Sequence, residues 1–238
     1  MNIEGRRALV LGGTSGIGLA ATRQLADAGA EVIAMSRSAG NLQQAQAVLD
    51  GRGTVRSLDV LDRAAMSATF AELAPFDILV AAATGGERAT GPFLSMDLDG
   101  FQGSFAKLWG YVNAVRLGAE HMSDNGCIVL VSGSPARKCR PGMSAISTVG
   151  NAVEGFARAV APELAPRRIN VVSPGVIDTP MFAVAGDARE QFLSSATAGN
   201  LIKRAGSPDE VAMAILFTIR NDFVTGTTVD VDGGALLP

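Results

Sequence analysis

Three of the four glycines in the stretch GGTSGIG, residues 12–18, mark the place where an apolar run ends and a helical pattern begins. Gly12 permits a tight turn, Gly16 lets backbone approach a pyrophosphate, and Gly18 allows close helix–strand packing. A helix starting there offers unpaired N–H groups and a positive dipole end to phosphate. Thr14, Ser15 and Ile17 belong to the same phosphate-facing turn. A glycine trio alone is weak evidence, but between a strand and a helix it is strong. At the end of the next apolar run, MSRS supplies Ser36 and Arg37 rather than an acid. A carboxylate would repel a ribose 2′-phosphate, whereas a hydroxyl and a guanidinium bind it through charge-assisted hydrogen bonds. NADP(H) is therefore the expected dinucleotide, with NAD(H) possible. His121 is the only histidine, no His/Cys/Asp/Glu cluster has metal spacing, and no metal site is expected.

These residues need elements to hold them. Apolar runs at 7–12, 31–36, 55–60, 77–83, 127–132, 169–174 and 227–232 read as strands buried on both faces. Helical patterns separate them. Gly29 suits the end of the first helix, and Asp62 can cap the helix DRAAMSATFAELA. Long helices are expected around 99–123 and 143–163. Right-handed crossovers then give an α/β, Rossmann-like, doubly wound fold: seven parallel strands, helices on both faces, one domain over 1–238.

Composition narrows the class. The 238 residues are 47% hydrophobic and 18% charged with 28 glycines, which suits an aliphatic core with Gly-rich turns rather than disorder. A net charge of -3 gives no basic footprint, so no nucleic-acid partner is expected. No apolar run reaches membrane-spanning length and no signal peptide is evident, so a cytoplasmic setting with no membrane partner is the default. Cys127, in CIVLVS, reads as a buried, inert thiol.

Together LGGTSGIG (11–18), LDV (58–60), DILVAAA (77–83), VSPGVIDTP (172–180), RAGSPDEVAMAILF (204–217) and VTGTTVDVDGG (224–234) carry a resemblance over nearly the whole chain. The chain resembles the short-chain dehydrogenase/reductase family. The resemblance implies that Asp59 and Val60 border the adenine and that Ala81, Ala82 and Ala83 pass beneath the cofactor. It implies that the turn containing Pro174 and Gly175 presents Ile177 and Thr179 to the nicotinamide carboxamide. It also implies a substrate-covering loop at about 180–205, with Met181 and Phe182 as an apolar wall, and a homotetramer of closed symmetry.

The departures gather where the family does its proton chemistry. Its Tyr-x-x-x-Lys pair falls at Ile146 and Gly150, its serine at or beside Gly133 within SGSP, and its helix asparagine at Lys107. Ala81 and Ala82 stand at its paired asparagines. A ketone accepts hydride readily only when its oxygen is protonated or strongly hydrogen-bonded. Ile146 and Gly150 do neither. Lys107 and Ser134 are the candidate catalytic replacements. A desolvated lysine can have its pKa lowered toward neutrality, and Ser134 lies farther into its loop than Ser132. Tyr111 lies one helical turn beyond Lys107 and reads as packing, while Ser147 and Asn151 are rotated out of register by about 100°. Three functions remain open. The first is an NADP(H)-dependent oxidoreductase acting on a small-molecule carbonyl or alcohol through an atypical site. The others are a noncatalytic NADP(H)-binding sensor or scaffold, and a cofactor-assisted nonredox enzyme.

Overall fold

The structure, a computed structural model, describes residues 1–238. Seven parallel strands form one sheet: β1 (Arg7–Leu11), β2 (Glu31–Ser36), β3 (Thr54–Ser57), β4 (Phe76–Ala81), β5 (Met122–Val131), β6 (Arg168–Pro174) and β7 (Thr228–Val231). Their order is β3-β2-β1-β4-β5-β6-β7. The chain walks outward from β1 to β3, returns to β4 beside β1, and walks the other way. That reversal opens a crevice at the carboxyl ends of β1 and β4, where such sheets bind ligands.

Alternation along each strand makes two cores. Leu9 and Leu11 of β1, with Leu79 of β4 and Leu130 of β5, face Met66, Phe70, Tyr111 and Val153. These come from α3 (Arg63–Leu73), α5 (Ala106–Gly118) and α6 (Ser144–Leu164). Ala8 and Val10 face the other way, against Ala21 and Leu25 of α1 (Gly16–Asp27) and Val211 and Ile215 of α8 (Pro208–Arg220). Asp62 caps α3 by accepting from the Ala65 amide, and Gly29 takes a positive φ just past α1. Cys127 is fully buried, and burial pushes its thiol up to about 11.

The helix expected around 99–123 is divided. Residues Leu98–Gly103 form α4, the chain turns at Ser104 and Phe105, and α5 stops at Gly118. The Ser104 hydroxyl accepts from the Ala89 amide and donates to the Gly100 carbonyl, so the break is used to pin a neighbouring loop. Helix α2 (Ala39–Leu49) separates β2 from β3, and α7 (Gly186–Thr197) is the short helix that the resemblance places within the covering segment. Strand β5 starts five residues before its apolar run, with a register shift opposite Phe76 and Ile78. No helix is long and apolar enough to cross a membrane.

Candidate active site

A cleft of about 1240 Å³ follows the carboxyl edge of β2, β1, β4 and β5. It exceeds the ~300–1,000 Å³ usual for one drug-sized ligand. All but two of the residues expected to bind cofactor line it. Asp59 stays just outside, ion-paired to Arg37 at 3.5 Å. Ala81 is fully buried in the sheet, paired with Leu11, and so does not reach the cleft. Its neighbours Ala82 and Ala83 do, because the strand has ended there.

The glycine loop is shaped by contacts that no side chain could share. A Cβ on Gly12, whose φ is +77°, would lie 2.6 Å from the Ala83 amide nitrogen. One on Gly18 would lie 2.0 Å from the Gly12 carbonyl. Gly16, at φ +49°, leaves only 3.3 Å between a would-be Cβ and the Thr179 methyl. The phosphate loop thus abuts the loop after β4 on one side and the turn after β6 on the other. Ser15 places no side-chain cap on the first turn of α1, so its amides remain free for an anionic ligand. This cradle fits a dinucleotide pyrophosphate. Helix α2 adds Asn41 and Gln44 to the wall beside Arg37, residues for which the sequence offered no motif.

At the other end Lys107 enters the cleft from α5. Its Nζ donates to the Ser132 carbonyl at 3.2 Å and lies 5.6 Å from the Tyr111 ring centroid. Burial, and then the nearby Arg88 cation, lower its pKa to about 8. Tyr111 itself lies in the core, its phenol donating to the Val131 carbonyl at 3.0 Å. Burial pushes that phenol's pKa up, away from proton exchange. The one tyrosine of the chain is therefore not in the cleft wall.

Two serines follow β5. The Ser132 hydroxyl is engaged, donating to the Gly150 carbonyl at 3.1 Å. Ser134 opens a 3-10 turn, Ser134–Ala136, and lines the cleft without a side-chain hydrogen bond of its own. Ile146 and Gly150 also stand in the wall. Gly150 meets that turn so closely that a Cβ on it would lie 2.9 Å from the Ala136 Cβ. Asn151 fastens the same junction by donating to the carbonyls of Ala136 and Ser147. Ser147 turns away and its buried hydroxyl has no partner. His121 sits in a short turn before β5, at the strand end opposite the cleft. No group of acids, histidines and cysteines could hold a metal ion.

The segment after β6 covers one side. Met181, Phe182 and Phe192 line the cleft, and the two phenylalanine rings are 5.0 Å apart. Arg189 of α7 holds the segment together by donating to the carbonyls of Thr179, Phe182 and Val184.

Comparison with known proteins agrees with this geometry. Residues 12–235 match the family model described as enoyl-(acyl carrier protein) reductase. A galactitol 2-dehydrogenase of Rhizobium johnstonii is 35% identical, the match covering 98% of this chain and 95% of the relative. A small-chain dehydrogenase solved in complex with NADPH superposes with a TM-score of 0.83 at 30% identity, over 99% of this chain and 100% of that one. An apo short-chain oxidoreductase of Pseudomonas aeruginosa PAO1, described as containing an atypical catalytic centre, superposes at 0.88 with 28% identity, over 97% of each chain.

Proposed function

The chain belongs to the short-chain dehydrogenase/reductase family, and from that premise we propose an NADP(H)-dependent oxidoreductase that acts on a carbonyl or its alcohol through an atypical proton-handling site. One domain carries it. The NADPH-bound neighbour and the glycine cradle support nicotinamide dinucleotide binding, and Arg37 supports the 2′-phosphorylated form over NAD(H). A neighbour described as containing an atypical catalytic centre has the same fold, which supports the reading.

In this reading the amides of the first turn of α1 hold the pyrophosphate, Arg37 the 2′-phosphate, and Ile177 and Thr179 the carboxamide. When bound, the cofactor supplies hydride to the carbonyl carbon. Lys107 gives its ammonium proton to the oxygen as negative charge develops there, and recovers one from water. Ser134 offers that oxygen a hydrogen bond, and the segment around Met181 and Phe182 excludes water.

The observation that carries the reading is the Lys107 ammonium in the cleft wall with its pKa lowered to about 8, close enough to neutrality to release a proton. The test is direct titration with NADPH and NADH, followed by absorbance at the reduced-nicotinamide band across a panel of carbonyls. NADPH binding with loss of absorbance supports it. Tight NADPH binding with no turnover favours the second reading, a noncatalytic NADP(H)-binding protein, for which the apolar Ile146 and the closed Gly150 position speak.

A further inference from the structure

The charge of the cleft wall is one-sided. Arg37, Arg88, Lys107, Lys138 and Arg140 all line it, and no aspartate or glutamate does, in a chain whose net charge is -3. Arg37 belongs to the β2 end. The other four follow β4 or β5, across two strands of the sheet from Arg37. An excess of one sign along a concave wall concentrates ligands of the opposite sign.

Arg88 has the donors for such a ligand and almost nothing to spend them on. Its guanidinium meets the Met181 sulfur at 2.9 Å, a weak acceptor, and forms no ion pair. The Arg140 side chain likewise makes neither an ion pair nor a hydrogen bond, whereas Lys138 reaches the Ala235 carbonyl. Lys107 uses one of its three donors. Two cations that face one cavity repel each other, and an anion between them relieves the repulsion.

The loops carrying these groups are built rather than loose. A Cβ on Gly85, at φ +77°, would lie 2.6 Å from the Ala106 carbonyl, so the loop after β4 rests directly on the turn before Lys107. Ala89, next to Arg88, is held by the Ser104 hydroxyl at 2.8 Å. The Gly91 amide donates to the Gly142 carbonyl at 2.9 Å, tying this loop to the segment that carries Arg140.

We infer that the substrate is a carbonyl compound bearing an anionic group, a carboxylate or a phosphate, which the Arg88 guanidinium binds with Arg140 on the same wall, leaving Lys107 for the carbonyl oxygen. The inference rests on the oxidoreductase reading for the carbonyl, but the anion site has its own readout.

Calorimetric titration of the NADP⁺-loaded protein, which cannot reduce an aldehyde, compares 4-formylbenzoate, its methyl ester and 4-formylphenyl phosphate. At least one anion should bind about tenfold or more tightly than the ester, and which one identifies the anionic group. Arg88→Met should remove most of that preference while NADPH affinity stays within about twofold, and Arg88→Lys should keep part of it. An ester that binds as tightly as both anions, or an anion affinity unchanged in Arg88→Met, overturns the inference. Anion binding that depends on Arg88, in a protein that oxidises no NADPH with either anion, sustains this site and instead removes the oxidoreductase reading.

Discussion

The Lys107 ammonium and the Ser132 carbonyl meet at 3.2 Å, in a cavity wall that contains no carboxylate to balance the charge. The lysine is thus held by a dipole and not by an ion, which leaves it both costly and ready to lose a proton.

Lys107→Met should cut carbonyl reduction by about 10²-fold or more while leaving NADPH affinity nearly unchanged. An unaltered rate moves the proton role to Ser134 or water.

The same substitution should stabilise the fold. A lysine whose pKa falls from 10.5 to about 8 binds its proton less tightly folded than unfolded. Its charge is a full burden below about pH 8, and the burden is lifted as pH rises toward 10.5. A shift of this size has a ceiling of about 3 kcal/mol. Partial access to solvent and the bond to Ser132 reduce the gain to about 1–2 kcal/mol, or ~2–8 °C in Tm at pH 7. Thermal unfolding at pH 7 and pH 10.5 checks the sign, since the advantage of the methionine should shrink at the higher pH.

Reduction by the unmodified protein should decline as pH rises through about 8, where the lysine loses the proton it must donate. A flat kcat/KM profile between pH 6 and 10 would remove the ammonium from the mechanism.

Arg37→Asp should invert the cofactor preference, since it removes a 2′-phosphate partner and adds a second acid beside Asp59. NADPH should weaken by more than tenfold and NADH should change little. Equal dissociation constants for the two cofactors in the unmodified protein would refute the assignment.

Gly150→Lys alone should destabilise by about 1–3 kcal/mol, because its Cβ would meet Ala136. Ile146→Tyr with Gly150→Lys should therefore restore ordinary ketone reduction only when Ala136→Gly is added. Activity in the double variant without the third change would show that the 3-10 turn yields more easily than its contacts suggest.

Light scattering should find the proposed closed homotetramer. Trp109 on α5 and Phe217 on α8 present exposed apolar surface for it. A monomer at micromolar concentration would end that proposal.

The fold was legible in the sequence where a requirement was local. Strands buried on both faces need unbroken apolar runs, and β2 falls where its run predicts. The turn at Gly12–Gly18 takes positive φ at Gly12 and Gly16, a local demand for glycine. The bounds of helix α2 were not legible because only Ala45 and Leu49 are buried, too few to mark a face. The Ser104 break escaped because the hydroxyl's partner, Ala89, is distant in the chain. Arg88 could not be read at all. Its place depends on Gly85 resting on Ala106, and nothing in TGGERATG shows that. Lys107 was found only through resemblance, since one lysine in a helix carries no spacing.

The approach of Gly150 to Ala136 also bears on how this chain can change. Lysine at 150 displaces the turn unless 136 is already glycine, and glycine at 136 alone loosens a packed junction for no gain. Either of these first steps toward a Tyr-x-x-x-Lys site therefore costs stability. Sequence drift can wander freely over the surface of this protein, but at this junction it meets a ratchet.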